Sequence, residues 1–338
     1  MSSSTADLNL PSFVLPCTDP EVRVRFPRCL DADQILQFPA FKIWLRTLNV
    51  SLSSQTRNPN HPFKDHPYVL RSIEVQSADF FSSRRRLGFL KLQATITNDL
   101  DQHLPGSVFM RGGSVAMLII LTPTDTDDTS SNNDDAAAGE KNSGAHSGGT
   151  RLSTEEYVIL TIQPRIAIGS LSFIELPAGM IDDSGTFSGA AAKEIVEETG
   201  LGISTDDLVD MTQLAISSNN NNPSTNYTTG KCKGKTTTNG QQRDYSEESD
   251  NDNNHLQEAI YPSPGACDEF IPIFLARRSM PRDEIESLRG KLTGLRDQGE
   301  KITLKVVPLS EVWKVAARDG KTLAAMALYQ GLKAEGMI

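Results

Sequence analysis

The chain has 338 residues, with 43 Asp and Glu against 33 Lys and Arg, so its formal net charge at pH 7 is -10. This acidic balance argues against a non-specific nucleic-acid binder, which needs a basic surface. The sequence contains no apolar run of about 18 residues, so a transmembrane helix is not expected.

Cysteine usage and the first residues of the chain bear on the cellular compartment. The 4 cysteines are widely separated and form neither a C-x-x-C pair nor a small disulfide framework, so a reducing compartment is expected. The Ser-rich start lacks the basic residues and apolar core of a secretory signal. We therefore expect a cytoplasmic protein, with import into an organelle as the alternative.

The first part of the chain predicts a flexible N-terminus followed by a helical segment. Residues 1–30 show no clear hydrophobic period, so we expect them to be extended and flexible. Asp31 or Asp33 can cap a helix, and Pro39 must start a second helical segment or kink the first. Residues 51–67, rich in Ser, Asn, Pro and His, predict a loop.

Alternating apolar and polar residues then predict two strands, at 68–75 and 87–96. Together with the helical segment, they indicate a small β-rich domain over residues 31–107. A continuous apolar run at 115–121 is suited to a buried central strand. That strand would lie in a second, larger domain formed by residues 108–338.

Two stretches of the larger domain cannot supply a hydrophobic core. Residues 122–153 have almost no aliphatic or aromatic side chains, and residues 217–256 are dominated by Asn, Ser, Thr, Gly and charged residues. Both stretches predict disordered insertions. The apolar segment 157–169 is expected to pair with 115–121, which would place the first insertion inside a long hairpin.

The most informative stretch is 176–201, which predicts a glycine-opened loop followed by a short helix. Glu194, Glu197 and Glu198 would share one helical face, where like charges repel by roughly 0.2 to 0.5 kcal/mol per pair. A divalent cation such as magnesium, which prefers oxygen ligands, would offset this repulsion. A solvated charged face is the alternative. Gly179 favours the cation, because backbone without a Cβ can closely approach whatever the helix binds.

The same stretch resembles the Nudix box, G-x5-E-x7-R-E-U-x-E-E-x-G-U, in which U is an aliphatic residue. The matching positions are Gly179, Glu194, Ile195, Glu197, Glu198, Gly200 and Leu201. Two positions differ, because Gly185 stands at the first Glu of the box and Lys193 at the Arg. Lys lacks the planar fork with which Arg can hold a carboxylate.

Other stretches resemble the branch of the Nudix family that hydrolyses ADP-sugars and ADP-ribose. They are residues 111–121, 163–165, 175–183, 263–269 and 294–300. The resemblance implies an α/β (α+β) protein with the Nudix α/β/α sandwich around a mixed sheet. It also implies a small β-rich N-terminal domain before that sandwich, which commonly helps build a homodimer.

The activity implied by the resemblance is hydrolysis of the diphosphate bond of ADP-glucose or ADP-ribose to AMP and a sugar phosphate. The cofactor would be Mg2+, with Mn2+ as an alternative. The partner would be a small nucleotide-sugar substrate, with neither nucleic acid nor membrane. Two alternatives remain: hydrolysis of another nucleotide sugar or a dinucleotide, and a non-catalytic nucleotide-binding module. An inactive member is expected to lose a glutamate of the box helix, and none is lost here.

The resemblance also implies roles for individual residues in the reaction. The metal ligands would be Glu194, Glu198 and the carbonyl oxygen of Ala178. Glu197 would be a further ligand or an outer partner. In related enzymes an acidic residue from a later loop completes the site, and by position we expect Glu300. The alternative for Glu300 is an ordinary turn carboxylate.

Four residues are candidates for substrate binding. Arg165 would pair with a phosphate, unless it is a surface Arg of a hairpin. Glu175 would hydrogen-bond a sugar or adenine group, or else cap buried backbone. Asp268 and Glu269 are expected in a wall of the substrate cleft. Cys267 is expected to be a packed small side chain, because hydrolysis of a phosphoanhydride needs no thiol nucleophile.

Overall fold

A computed structural model of the protein describes most of the chain as two β-sheets with their own hydrophobic cores. The described residues are 10–16, 18, 20–81, 86–124, 155–181, 186–219, 256–295 and 299–338.

The first sheet is built from six strands and covered by two helices. The strands are β1 (Ser12–Val14), β2 (Arg23–Arg25), β3 (Val69–Phe81), β4 (Arg86–Thr97), β5 (His103–Leu104) and β6 (Ser107–Met110). Their order is β1-β2-β3-β4-β5, and β6 also pairs with β4. Only the β2–β3 pair is parallel. The helices are α1 (Ala32–Gln37) and α2 (Pro39–Arg57), which pack Ile35 and Phe41 into the core of this sheet.

The start of each helix follows from local sequence. Asp31 caps α1 in a capping box, in which its carboxylate accepts the Gln34 N–H at 2.7 Å. Pro39 occupies the first turn of α2, which confirms that it starts a second helical segment. The loop prediction was wrong for 51–57, because α2 continues to Arg57. Buried Gln55 hydrogen-bonds both backbone groups of Tyr68 and so ties this Ser-rich helix end to β3.

The N-terminal boundary of the first sheet also differs from the prediction. Described residues before 31 form β1 and β2, and Leu15 and Val24 are buried, so the prediction of a flexible segment was wrong for 10–30. Strands of three residues are too short to show a hydrophobic period. At the other end, β6 pairs with β4, so the first sheet extends to Met110 rather than to residue 107.

The second sheet is mixed and has eight strands. The strands are β7 (Ser114–Pro123), β8 (Tyr157–Arg165), β9 (Ser170–Glu175), β10 (Ala178–Met180), β11 (Val209–Asp210), β12 (Ile273–Met280), β13 (Leu292–Thr293) and β14 (Ile302–Pro308). Their order is β11-β12-β7-β8-β14-β13, with β10 also on β7 and β9 also on β8. The β7–β12 pair is parallel and the other pairs are antiparallel. The β7–β8 pairing confirms the predicted hairpin.

Helices cover both faces of this sheet, which confirms the predicted α/β/α sandwich. The helices are α3 (Phe187–Thr199), α4 (Met211–Asn219), α5 (Arg282–Ser287), α6 (Val312–Val315) and α7 (Gly320–Ala334). The central strand β7 is buried on both sides, as its continuous apolar run predicted. Met117 and Ile119 share a core with α3 and α5, whereas Leu118 and Ile120 share a core with α6 and α7.

The two predicted insertions begin slightly later than expected. Strand β7 continues to Pro123 and α4 continues to Asn219, so the predicted starts at 122 and 217 were wrong. Residues 125–154 and 220–255 lie outside the described residues. Among the residues that the structure does describe, no helix is long and apolar enough to cross a membrane.

Candidate functional site

The candidate site lies where α3 runs back along β10. Thr186 caps the start of α3 by accepting the Gly189 N–H at 3.1 Å. Gly200 ends the helix in the left-handed conformation, with φ of 75°, and its N–H bonds the Val196 carbonyl. These two ends place the glutamates of α3 beside Ala178 and Gly179 of β10.

Glu198 is the most buried acidic side chain of the site, with 1% of its surface exposed. Its Oε2 accepts a hydrogen bond from the Ala178 N–H at 2.9 Å, and its Oε1 accepts one from Gln163 Nε2 at 3.0 Å. Gln163 Nε2 also donates to Thr161 Oγ1 at 3.2 Å, which fixes the orientation of its amide. Neutral donors therefore hold the Glu198 carboxylate in one position.

Glu194 explains why a glycine opens the box. A Cβ atom placed on Gly179 would lie 1.8 Å from Cδ of Glu194 and 2.0 Å from its Oε1. The Glu194 carboxylate thus occupies the space that any other residue at position 179 would fill. This close approach brings Glu194 and Glu198 to the same short strand.

Neighbouring acidic side chains dominate the electrostatics around Glu198. Burial, together with the neighbouring charges of Glu194 and Glu300, raises the pKa of Glu198 from 4.5 to about 8. The hydrogen bonds from Gln163 and Ala178 act in the opposite direction. A cation between these carboxylates would reverse the unfavourable interaction.

Glu300 is brought to the site by a loop that is anchored on α3. Thr293 Oγ1 donates to the Glu198 carbonyl at 2.5 Å, and the Gly294 N–H donates to the Glu197 carbonyl at 3.3 Å. The Leu295 N–H then donates to Glu300 Oε2 at 2.8 Å. The loop therefore satisfies carbonyls at the end of α3 and holds Glu300 within electrostatic reach of Glu198.

Glu197 lies on α3 between the two enclosed glutamates and is half-buried. Whereas its carbonyl accepts the Gly294 N–H, no side-chain hydrogen bond or ion pair joins it to another described residue. Its predicted role as a further metal ligand or an outer partner stays a prediction.

A second buried acidic cluster lies beside the first. Glu175 is 3% exposed, and its Oε1 accepts Nε of Arg165 at 2.6 Å. Its Oε2 accepts Nζ of Lys321, which also donates to Asp319 Oδ1 at 3.1 Å. Burial lowers the pKa of Arg165, but the hydrogen bond and charge of Glu175, with the charges of Glu198 and Asp319, raise it overall. The bond to Glu175 therefore fixes the Arg165 guanidinium close enough to Glu198 for the two charges to interact.

Asp268 and Glu269 lie apart from these two clusters, at the junction of the two sheets. Asp268 Oδ1 accepts the backbone N–H groups of Arg111, at 2.7 Å, and Gly112, at 3.2 Å. Glu269 pairs with Arg111 at 3.1 Å and accepts from Ser114 Oγ at 2.7 Å. Both carboxylates hold protein groups here, and their predicted contact with substrate stays a prediction. Burial raises the pKa of the Cys267 thiol, which disfavours a thiolate nucleophile.

An open cleft of about 790 Å³ lies between α1, the β3–β4 hairpin, β10 and the start of α3. It is lined mainly by apolar side chains, including Phe81, Phe187 and Phe270, with Lys42 and Arg111 among the charged ones. Its lining includes Met180, one residue beyond Gly179, so the cleft adjoins the acidic site.

The donors of the acidic site are suited to a hard divalent cation. Within the described part of the chain, no group of three or more His, Cys, Asp or Glu could hold a metal ion by itself. Magnesium, however, commonly takes only one or two carboxylates and completes its shell with water and substrate phosphates. Glu194 and Glu198, beside the backbone of Ala178, meet that smaller requirement.

Sequence reasoning assigned no role to three residues that the structure adds. Gln163 lies in 163–165, one of the stretches that carry the family resemblance. Its alternation with Thr161 and Arg165 along the strand could have indicated that its side chain faces the site. Lys321 and Asp319 carry no such signal, because they reach Glu175 and Leu176 from a helix about 140 residues away in sequence.

Comparisons with known proteins identify relatives of the chain. Nudix hydrolase 14, chloroplastic, from Arabidopsis thaliana is 32% identical over 300 residues, which cover 88% of this chain and 72% of the relative. A crystal structure described as an ADP compounds hydrolase is 14% identical and covers 80% of this chain and 99% of its own, with a TM-score of 0.37. No family model matches the sequence.

Proposed function

The chain belongs to the Nudix hydrolase family, and from that premise we propose that it hydrolyses the diphosphate bond of an ADP-sugar, ADP-glucose or ADP-ribose, to AMP and a sugar phosphate. The observation that carries the proposal is the pair of α3 carboxylates that lie against β10. Glu194 fills the space over Gly179, and Glu198 is held by Ala178 and Gln163. Such a pair suits a divalent cation bound to a diphosphate.

Magnesium is the proposed cofactor, held by Glu194, Glu198 and the carbonyl oxygen of Ala178. Bound there, it would neutralise diphosphate charge and favour attack by water. Manganese, which shares the preference for oxygen ligands, is the alternative ion. Glu197 would act as a further ligand or an outer partner.

The protein groups around these ligands have complementary tasks. Arg165 would bind a phosphate oxygen through a charge-assisted hydrogen bond. Glu300 would accept the proton of the attacking water, in the manner of a general base. One P–O bond to water forms as the bridging P–O bond breaks, and the bridging oxygen leaves on the other phosphate.

The adjoining cleft is proposed to take the nucleoside half of the substrate. Its volume of about 790 Å³ falls within the range of roughly 300 to 1,000 Å³ that is usual for ligand pockets. Its aromatic lining would stack on a base.

We also propose that the protein is a homodimer, which light scattering would test. The chloroplast location in the relative's name makes organelle import the alternative to a cytoplasmic protein. Imaging of a fluorescent fusion would separate the two.

A substrate panel tests the proposed function directly. The purified protein would be incubated with ADP-ribose, ADP-glucose, other nucleotide sugars and dinucleotides, with magnesium or with EDTA, in 18O-labelled water. We expect AMP and a sugar phosphate from ADP-sugars only with magnesium, and the label identifies the attacked phosphorus. Tight binding of ADP-sugars without turnover would favour a binding module, and turnover of dinucleotides alone would favour another substrate class.

A further inference from the structure

We propose that Lys321 is a positioning residue that keeps the guanidinium of Arg165 available to the substrate diphosphate. The inference rests on the proposed function, because it concerns how this site binds its anionic substrate. Lys321 does not touch the substrate in this account. It acts through Glu175, the carboxylate that both cations share.

The geometry places Lys321 at the centre of a buried chain of charges. Its side chain is 11% exposed and lies between the carboxylates of Glu175, 3% exposed, and Asp319, 7% exposed. Asp319 is itself fixed, because its Oδ2 accepts the N–H groups of Leu176 and Thr322, at 3.2 and 3.3 Å, and the Thr322 hydroxyl at 2.6 Å. Lys321 is thus locked to the start of α7 and to the strand end that leads into β10.

The sharing of Glu175 determines what Arg165 can offer. Arg165 bonds Glu175 through Nε alone, to one carboxylate oxygen, while Lys321 occupies the other oxygen. The two terminal nitrogens of the guanidinium make no hydrogen bond to a described residue, and the side chain is 40% exposed. These nitrogens form the edge that can meet a phosphate in a fork.

Removal of Lys321 would change that geometry in a defined direction. A buried carboxylate must find compensation for its charge. Without Lys321, both oxygens of Glu175 would be left to Arg165, which can bind a carboxylate through two nitrogens. The guanidinium would then turn toward Glu175, and the substrate would lose its fork.

The test compares Lys321→Met with the double variant Lys321→Met/Glu175→Gln, using ADP-ribose and magnesium. We expect Lys321→Met to raise KM about tenfold with kcat changed less than about threefold, because a charge-assisted contact to the substrate is lost. The double variant should recover KM to within about threefold of wild type, because the neutral amide no longer captures Arg165. Lys321→Arg should also retain a low KM.

Two controls make the result specific. Lys333→Met is the same substitution 12 residues further along α7, at a residue whose side chain contacts Tyr329, and it should leave KM unchanged. Binding of a methylene-bridged ADP-ribose analogue, measured by calorimetry, should weaken about tenfold in Lys321→Met and recover in the double variant. If Lys321→Met does not fold, Lys321→Gln takes its place with the same expectation.

The outcomes separate this inference from the proposed function. An active wild type with an unchanged KM in Lys321→Met, or with a double variant no better than the single one, would show a merely structural lysine and overturn the inference. A wild type that neither hydrolyses nor binds ADP-sugars would overturn the proposed function, and the inference with it.

Discussion

Glu175 on β9 and Glu198 on α3 are two buried carboxylates with opposite electrostatic surroundings. Glu175 is flanked by Arg165 and Lys321, so its charge is compensated by the protein itself. Glu198 is equally buried, but its hydrogen bonds come from neutral donors, and the charges of Glu194 and Glu300 oppose its own. The nearby cation, Arg165, is bonded to Glu175 instead.

The different surroundings indicate different roles for the two carboxylates. A charge that the protein has already neutralised serves to hold other groups, as Glu175 holds Arg165. The proposed role of a charge that is fixed in place but not neutralised is to bind a cation from solution. The comparison predicts that the two glutamates will respond in opposite ways to substitution and to metal.

The largest expected effect is on catalysis at the uncompensated carboxylate. Glu198→Gln should lower kcat/KM for ADP-ribose about 100-fold or more, comparable to the loss of another charge-stabilising group. Its stability in EDTA at pH 8 should not fall, because the substitution removes a buried charge that forms no direct ion pair with a described residue. A variant that retains activity, or that unfolds in EDTA, would contradict the role assigned to Glu198.

The second effect tests the close approach of Glu194. Gly179→Ala places a Cβ where the Glu194 carboxylate lies, so that side chain must move by an ångström or more. We expect kcat/KM to fall about 30-fold, since misplacement of that size is costly in catalysis. Gly202→Ala is the matched control, because a Cβ there meets nothing within 4 Å, and its kinetics should match wild type.

The third effect concerns stability at the compensated carboxylate. Glu175→Gln removes the anion between two cations and should lower the free energy of unfolding by about 1.5 to 2 kcal/mol, a value limited by the partial exposure of Arg165. Urea denaturation in EDTA measures it. The exposed pair of Glu286 and Arg289 supplies the control, since Glu286→Gln should change stability by less than about 0.5 kcal/mol. Equal losses in both variants would contradict the assignment.

The smallest effect is the part of the pH dependence that comes from Glu198. Its folded pKa of about 8 lies above the ordinary 4.5, so its contribution to stability is full below pH 4.5 and is lost as the pH rises through about 8. Between pH 7 and 9 in EDTA, wild type should lose about 1 to 2 kcal/mol more than Glu198→Gln. Parallel denaturation curves for the two proteins would show that Glu198 does not titrate in this range.

Sequence reasoning located the fold and the acidic helix because both depend on local patterns. The apolar run of β7 and the spacing of Glu194, Glu197 and Glu198 are readable within a few residues. The three-residue strand β1 and the Ser-rich end of α2 were missed. Their order comes from burial and from tertiary bonds such as that of Gln55 to Tyr68.

The contacts of Glu175 with Arg165 and Lys321 could not be predicted from local sequence either. Glu175 and Arg165 were named from a resemblance, but their bond to each other and to Lys321 was not, because these partners are distant in sequence. The charge of Glu198 was predicted, whereas its burial and its bond to Gln163 required the fold.

We expect a divalent cation to bind at Glu198 and not at Glu175. Titration with Mn2+, followed by electron paramagnetic resonance, tests this directly on wild type, Glu198→Gln and Glu175→Gln at pH 8. We predict that one Mn2+ site of wild type is lost in Glu198→Gln and kept in Glu175→Gln. Mn2+ binding in Glu198→Gln that equals binding in wild type would show that Glu198 does not hold the cation.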